Sequence, residues 1–187
     1  MIIAMANKNN YVFLRFFSYK KGNAFYNHNS CIIADNNFRE GRIMIEQDTI
    51  KLLRECDAGI KMGVSAIDEV LEYVKSDELK MYLNENKDEH NNLDKKLQEL
   101  LHKYKDDGKE PNPVAKGMSW MKTNMKLSMN ESDNTIADLI TDGCNMGVKS
   151  LSKYLNKYAA ADEQSKNICK KLIKLEEELA VQMRDYL

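Results

Sequence analysis

The sequence is poor in residues that interrupt helices, with two prolines and eight glycines among 187 residues. This scarcity argues against collagen-like, linker-like and turn-rich all-β proteins. The 28 basic and 29 acidic side chains leave a net charge of −1, which gives no electrostatic basis for a nucleic-acid partner. No apolar run approaches the ~18 residues needed to span a bilayer, so we expect no transmembrane segment and a cytoplasmic protein.

Cysteine is scarce as well, and catalytic motifs are absent. The four cysteines, at 31, 56, 144 and 169, form no C-x-x-C pair, and three of them fall on apolar helix faces. They are predicted to be buried thiols rather than disulfides or a zinc site. The sequence has no glycine-rich phosphate loop, and its three histidines are too scattered to indicate a catalytic base. We therefore predict no catalytic residue and no cofactor, and the sequence indicates no particular reaction.

Phenylalanine is confined to the beginning of the chain. All five Phe residues precede Met44, and segment 1–43 carries six basic and two acidic side chains. Because this segment shows no helical or alternating apolar period, residues 1–45 are predicted to be a poorly ordered leader. Two interpretations stay open. Either translation in the native host starts at Met44, or the leader is a basic, aromatic arm that touches a membrane surface.

The remaining residues, 46–187, have the apolar spacing of long helices throughout. Ser76 is predicted to cap the second helix, and the short joint before it forces the first two helices into a hairpin. A further short amphipathic helix, rich in Met, is predicted over 113–129, with Pro113 in its first turn. The four long helices, called A to D at this stage, are predicted at 47–75, 77–105, 134–158 and 162–186.

Helices A and C contain a repeat. A shift of 84 residues superposes them on a shared Gly-x-x-Met-Gly-Val sequence that includes the glycine pairs Gly59/Gly63 and Gly143/Gly147. Each glycine inside a helix costs ~1 kcal/mol relative to Ala, so a compensating role is expected. Close packing of helices is one explanation, and space reserved for a ligand is the other. A duplicated hairpin predicts an all-α, antiparallel four-helix bundle whose crossover joins B to C.

The helix order, the repeat and the insert at residues 116–122 resemble the ferritin-like superfamily, and more closely its bacterial branch of uncharacterised four-helix proteins. The resemblance implies a cage for two irons, built from a Glu on each of helices A and C and a Glu-x-x-His on each of B and D. Here Lys87 stands three residues before His90, and no His follows the acidic run of helix D. No di-iron centre is therefore expected. The residual metal candidates are His90, Glu177, Met62 and Met146.

The polar residues of the predicted core also have purely structural interpretations. His90 is expected to be a buried imidazole that bonds Asn86, Ser65 or a trapped water. Asp57 is expected to be satisfied by solvent or a lysine. The acidic run 176–178 is expected to be a solvated helix face with i,i+4 ion pairs.

These observations favour a non-catalytic binding or structural protein that forms a homodimer or binds an unidentified protein. The Met-rich stripe of the short helix either covers one side of the bundle or binds that partner. The alternative is a remodelled ferritin-like site that binds a metal or haem in the seam around His90. The stripe residues proposed as a partner surface are Met118, Trp120, Met121 and Met125.

Overall fold

The computed structural model describes residues 4–6, 12–14, 28–111 and 132–187, and the side chains of 41–111 and 132–187. The chain forms two compact units, Met1–Asn37 and Phe38–Leu187. The predicted short helix at 113–129, with its proposed partner surface, lies outside the described residues.

The first unit contains two short strands within the predicted leader. Strand β1 (Ala4–Ala6) pairs antiparallel with β2 (Val12–Leu14), with Met5 opposite Phe13. The boundary after Asn37 precedes the predicted boundary at 45. A start of translation at Met44 stays a prediction.

The fold class is all-α, as predicted, and four long helices account for most of the described chain. The first begins at His28 instead of residue 47 and therefore runs through part of the predicted leader. Ile43, Met44 and Ile45 are all exposed on it, so this stretch has no buried apolar stripe that a periodicity analysis could detect. The helices are α1 (His28–Leu71), α2 (Asp77–Lys103), α3 (Asp133–Lys157) and α4 (Glu163–Gln182), followed by a 3₁₀ turn at Met183–Tyr186.

Local capping interactions explain where three of these helices begin. As predicted, the Ser76 side chain accepts a hydrogen bond from Leu79 N at the start of α2. Ser132 caps α3 and Asp162 caps α4 in the same way. The carboxylate of Asp133 also accepts bonds from the backbone of the α1–α2 joint, which ties that joint to the start of α3.

The direction of the helices follows from their side-chain contacts. As residue numbers rise along α1, the numbers of the residues it contacts fall on α2 and α3 but rise on α4. On α2, Gln98 pairs with Asp57 and Lys87 with Asp68, and Asp106, just after α2, pairs with Arg54. On α3, Leu151 contacts Gly59, and Asp133 bonds Lys75 of the joint that follows α1. On α4, Leu172 contacts Gly59 and Glu176 contacts Gly63, and Asp162, the N-cap of this helix, bonds Thr49.

A dense set of polar contacts joins the segment after α2, residues 104–111, to α1. Asp57 is fully buried and accepts hydrogen bonds from Lys109 N (2.7 Å), Gln98 Nε2 (2.9 Å) and Lys61 Nζ (3.1 Å). The lysine expected beside Asp57 is thereby confirmed. Arg54 binds Asp106 through two hydrogen bonds of 2.9 and 2.6 Å, and this bond holds the pKa of the Asp106 carboxyl below its usual value.

The apolar core is divided into two clusters of buried residues. One is built around Leu53, Leu97 and Leu172, and the other around Ile67, Leu83 and Leu179. On every helix, the buried residues of one cluster are separated from those of the other by about two to three turns. The residues described next lie in these intervals. Within the described ranges, no helix combines the length and hydropathy required to cross a membrane.

Candidate functional site

The division between the two apolar clusters is a layer to which each helix contributes one residue. We call this the central layer: Gly63 of α1, His90 of α2, Gly147 of α3 and Glu176 of α4. His90 is 1% exposed and Glu176 is 8% exposed, and His90 Nε2 lies 3.3 Å from Glu176 Oε1. A basic and an acidic side chain thus meet inside an otherwise apolar bundle.

The hydrogen bonds of His90 indicate which of its ring nitrogens carries a hydrogen. His90 Nδ1 is 3.0 Å from the backbone oxygen of Asn86, and a carbonyl oxygen can only accept. Nδ1 therefore carries a hydrogen and donates it. In a neutral imidazole Nε2 would then be a bare acceptor facing a carboxylate oxygen, so a hydrogen bond between Nε2 and Glu176 Oε1 needs a hydrogen on one of these two atoms.

Glu176 has a second partner in Cys144 of α3. The buried Cys144 thiol donates a hydrogen bond to the carboxylate, and burial followed by the charge of Glu176 raises the pKa of this thiol strongly. Cys144 accordingly stays protonated and remains a donor. Nearby, the Asn86 side chain donates to the backbone oxygen of Leu175 at 3.2 Å, which links α2 to α4 beside the layer.

The two glycines of the layer make room for the side chains of His90 and Glu176. A Cβ added at Gly63 would lie 2.8 Å from His90 Nε2, and one at Gly147 would lie 3.3 Å from Glu176 Cδ. The other glycines of the repeat are different: Gly59 is in ordinary contact with Leu172 and Leu151, and Gly143 has nothing within 4 Å. The space that glycine opens in this layer is therefore filled by the protein's own imidazole and carboxylate.

Substituting Gly63 or Gly59 with Ala should change the free energy of unfolding in opposite directions. Gly63→Ala is expected to lower the free energy of unfolding by about 2 kcal/mol, because the new methyl group overpacks a rigid imidazole ring. Gly59→Ala is the matched control on the same helix, and it is expected to add about 1 kcal/mol through higher helix propensity. Urea denaturation of the two variants measures both values. Equal stabilisation by both substitutions would contradict the packing described for Gly63.

The residues named as metal candidates from the sequence are only partly brought together. His90 lies in the central layer, but its acidic partner is Glu176 and not Glu177, which is exposed. Met146 is 58% exposed and Met62 is half-buried, so Met146 does not line the seam. Among the described residues, no group of three or more His, Cys, Asp or Glu side chains is arranged to hold a metal ion.

The other polar predictions have mixed outcomes. The three cysteines whose side chains are described, Cys56, Cys144 and Cys169, are free and buried, as predicted. His102 is exposed. The acidic run 176–178 includes the expected i,i+4 pair between Lys174 and Glu178, at 3.2 Å, but its first member is buried in the core.

Glu176 was missed because two residues of α4 fit the apolar period equally well. Steps of three and four from Leu172 to Leu179 pass through either Leu175 or Glu176. Hydropathy alone selects Leu175, whereas the structure buries Glu176 and leaves Leu175 half-buried. The signal that could have identified Glu176 is its pairing with His90, the only other ionisable residue predicted at this depth of the bundle.

Comparisons of the chain with protein-family models, with curated proteins and with solved structures give no match. The features that indicate a function are therefore the central layer and the surface of the bundle.

Proposed function

We propose that this chain is a bacterial, ferritin-like four-helix bundle without a di-iron site, which acts in the cytoplasm as a non-catalytic binding or structural protein. The observation that carries the proposal is the content of the central layer. A di-iron cage of this superfamily needs a carboxylate from each of the first and third helices at this level, and here those positions are Gly63 and Gly147. Neither can supply a ligand, and the space beside them is filled.

The contacts between helices support the antiparallel, ferritin-like topology within this proposal. The falling numbers of the α1–α2 contacts support an antiparallel first hairpin, and the rising numbers of the α1–α4 contacts support a parallel pair. Both are expected of a bundle in which one long crossover joins the second helix to the third. The equivalent roles of Gly63 and Gly147, each beside a charged side chain of another helix, support the duplication of a hairpin.

The surface of the bundle supports a binding role. Ile43, Met44 and Ile45 of α1 are between 46% and 57% exposed, which places three consecutive apolar side chains at the surface. Exposed apolar groups of this kind are typical of protein interfaces. The partner proposed is a second copy of this chain, and sedimentation equilibrium of the full-length protein tests it.

A second candidate function is the binding of one metal ion at the central layer. It is favoured by the geometry of His90: Nδ1 donates to a backbone carbonyl, as in metal-binding histidines, and Nε2 faces Glu176 Oε1 at 3.3 Å. Two ligands of a tetrahedral zinc ion lie ~3.4 Å apart, so the pair has a suitable separation. The described residues provide no third ligand in position, which is why this is the second candidate.

Elemental analysis of protein purified from its native host distinguishes the two candidates. We expect no stoichiometric metal and no visible chromophore, because the imidazole and carboxylate satisfy each other. About one metal ion per chain would favour the second candidate, provided that it is lost in His90→Gln and kept in the exposed-residue control His102→Gln. Far-ultraviolet circular dichroism of each variant verifies that the fold persists.

A further inference from the structure

Two buried thiols lie opposite each other on α1 and α4. Cys56 and Cys169 are both 0% exposed and belong to the same apolar cluster. The two cysteines are 113 residues apart in the sequence. The same spacing separates two pairs of residues that are in contact, Thr49 with Asp162 and Gly63 with Glu176. Because these flanking contacts hold α1 and α4 in register, Cys56 and Cys169 occupy facing positions of the two helices.

The two thiols interact directly. Cys169 Sγ lies 3.7 Å from the backbone oxygen of Leu151 and donates to it. Hydrogen bonding between the facing thiols raises the pKa of Cys56, with burial adding to the effect, and lowers the pKa of Cys169. Cys169 is therefore the thiol that ionises first, and the thiolate is the nucleophilic form.

We propose that Cys56 and Cys169 are a site of reversible oxidation, where a peroxide converts the two thiols into a disulfide that links α1 to α4. The Cys169 thiolate attacks hydrogen peroxide, forming an S–O bond as the O–O bond breaks, which gives a sulfenic acid. The Cys56 sulfur then attacks the Cys169 sulfur, and the S–S bond forms as the S–O bond breaks. The two thiol protons end on the two oxygen atoms, so one peroxide yields one disulfide and two waters.

Access to the pair runs through the end of the bundle at which α4 begins. Cys169 lies near Glu163, the first residue of that helix. The segment before α4 is held to α1 by two hydrogen bonds, from Ala160 N to Asp48 (3.2 Å) and from Asp162 N to Thr49 Oγ1 (2.8 Å). Opening of this end exposes Cys169 without unfolding the rest of the bundle.

Peptide mapping of the full-length, native protein tests the proposal. The protein is treated with hydrogen peroxide, alkylated and digested with trypsin without reduction. Cleavage after Lys and Arg places Cys56 in peptide 55–61 and Cys169 in peptide 167–170, each with a single cysteine. We expect these two peptides to be joined, to separate on addition of a thiol reductant, and to stay unlinked in Cys56→Ser.

The matched control is Cys144→Ser, since Cys144 is equally buried but contacts the Glu176 carboxylate instead of a thiol. This variant should form the same linked peptide. The oxidised protein should also melt roughly 10 °C higher than the reduced protein, because the bond closes a long loop of the unfolded chain. Thr49→Val should accelerate oxidation by loosening the end of the bundle.

Two results would overturn the proposal. The first is native oxidation that links Cys144 or Cys31 as often as it links Cys56 to Cys169. The second is a Cys56–Cys169 peptide that forms only after the protein has been unfolded in urea.

Discussion

Replacing His90 with Leu is expected to lower the free energy of unfolding by about 3–5 kcal/mol, the usual cost of removing one partner of a buried ion pair. The substitution leaves the Glu176 carboxylate 8% exposed, with the Cys144 thiol as its remaining donor in the layer. It also removes the contact of 3.3 Å between His90 Nε2 and Glu176 Oε1. Urea denaturation followed by circular dichroism measures the loss.

Two further variants distinguish the contribution of the polar contact to stability from the contribution of apolar packing. The double variant His90→Leu/Glu176→Leu should be more stable than His90→Leu alone, because apolar pairs of similar volume often replace buried ion pairs at little cost. His102→Leu, on the exposed surface of the same helix, should change stability by less than about 0.5 kcal/mol. If His90→Leu were as mild as His102→Leu, Glu176 would not depend on His90.

Replacing Gly108 with Ala is expected to cost about 3 kcal/mol, through backbone strain and steric overlap together. Gly108 has a φ of +78°, which side chains other than hydrogen disfavour. A Cβ there would overlap the Asp57 carboxylate, with Asp57 Cγ at 3.0 Å and Leu101 Cδ1 at 3.1 Å. The loop cannot retreat without breaking the bond from Lys109 N to Asp57.

A double-mutant cycle with Asp57→Ala distinguishes the two parts of this cost. If overlap with Asp57 dominates, the double variant will be more stable than the sum of the single effects implies. Gly143→Ala is the control for a glycine with open space around it, and it should stabilise the protein by about 1 kcal/mol. A value for Gly108→Ala close to that of Gly143→Ala would contradict the proposed anchoring of the loop.

The helices themselves were largely predictable because the signals that define them are local. Ser76 followed by acidic residues marks the start of α2, and Gly108 before two prolines marks the segment that ends it. In α1, the stretch 43–45 was not predicted to be helical, because its apolar side chains are exposed and do not extend the buried stripe of the helix. A helical stretch without a buried face gives a periodicity analysis nothing to detect.

The candidate site was only half predictable, because its chemistry depends on partners from different helices. His90 was correctly assigned to the core, and the repeat singled out Gly63 and Gly147, which lie beside His90 and Glu176. The identity of the acidic partner depends on the rotation of α4 about its own axis, and one residue of error exchanges Glu176 for an exposed neighbour. No local sequence pattern records that rotation.

The register between α1 and α4 has a consequence for the order in which the molecule assembles. It joins residues 113 positions apart, such as Thr49 and Asp162, so these contacts form only after most of the chain has been made. When a ribosome reaches α4, His90 has already been synthesised but has no carboxylate to meet. Folding is therefore expected to be limited by the arrival of the last helix, and an incomplete chain exposes its core to chaperones and proteases until Glu176 emerges.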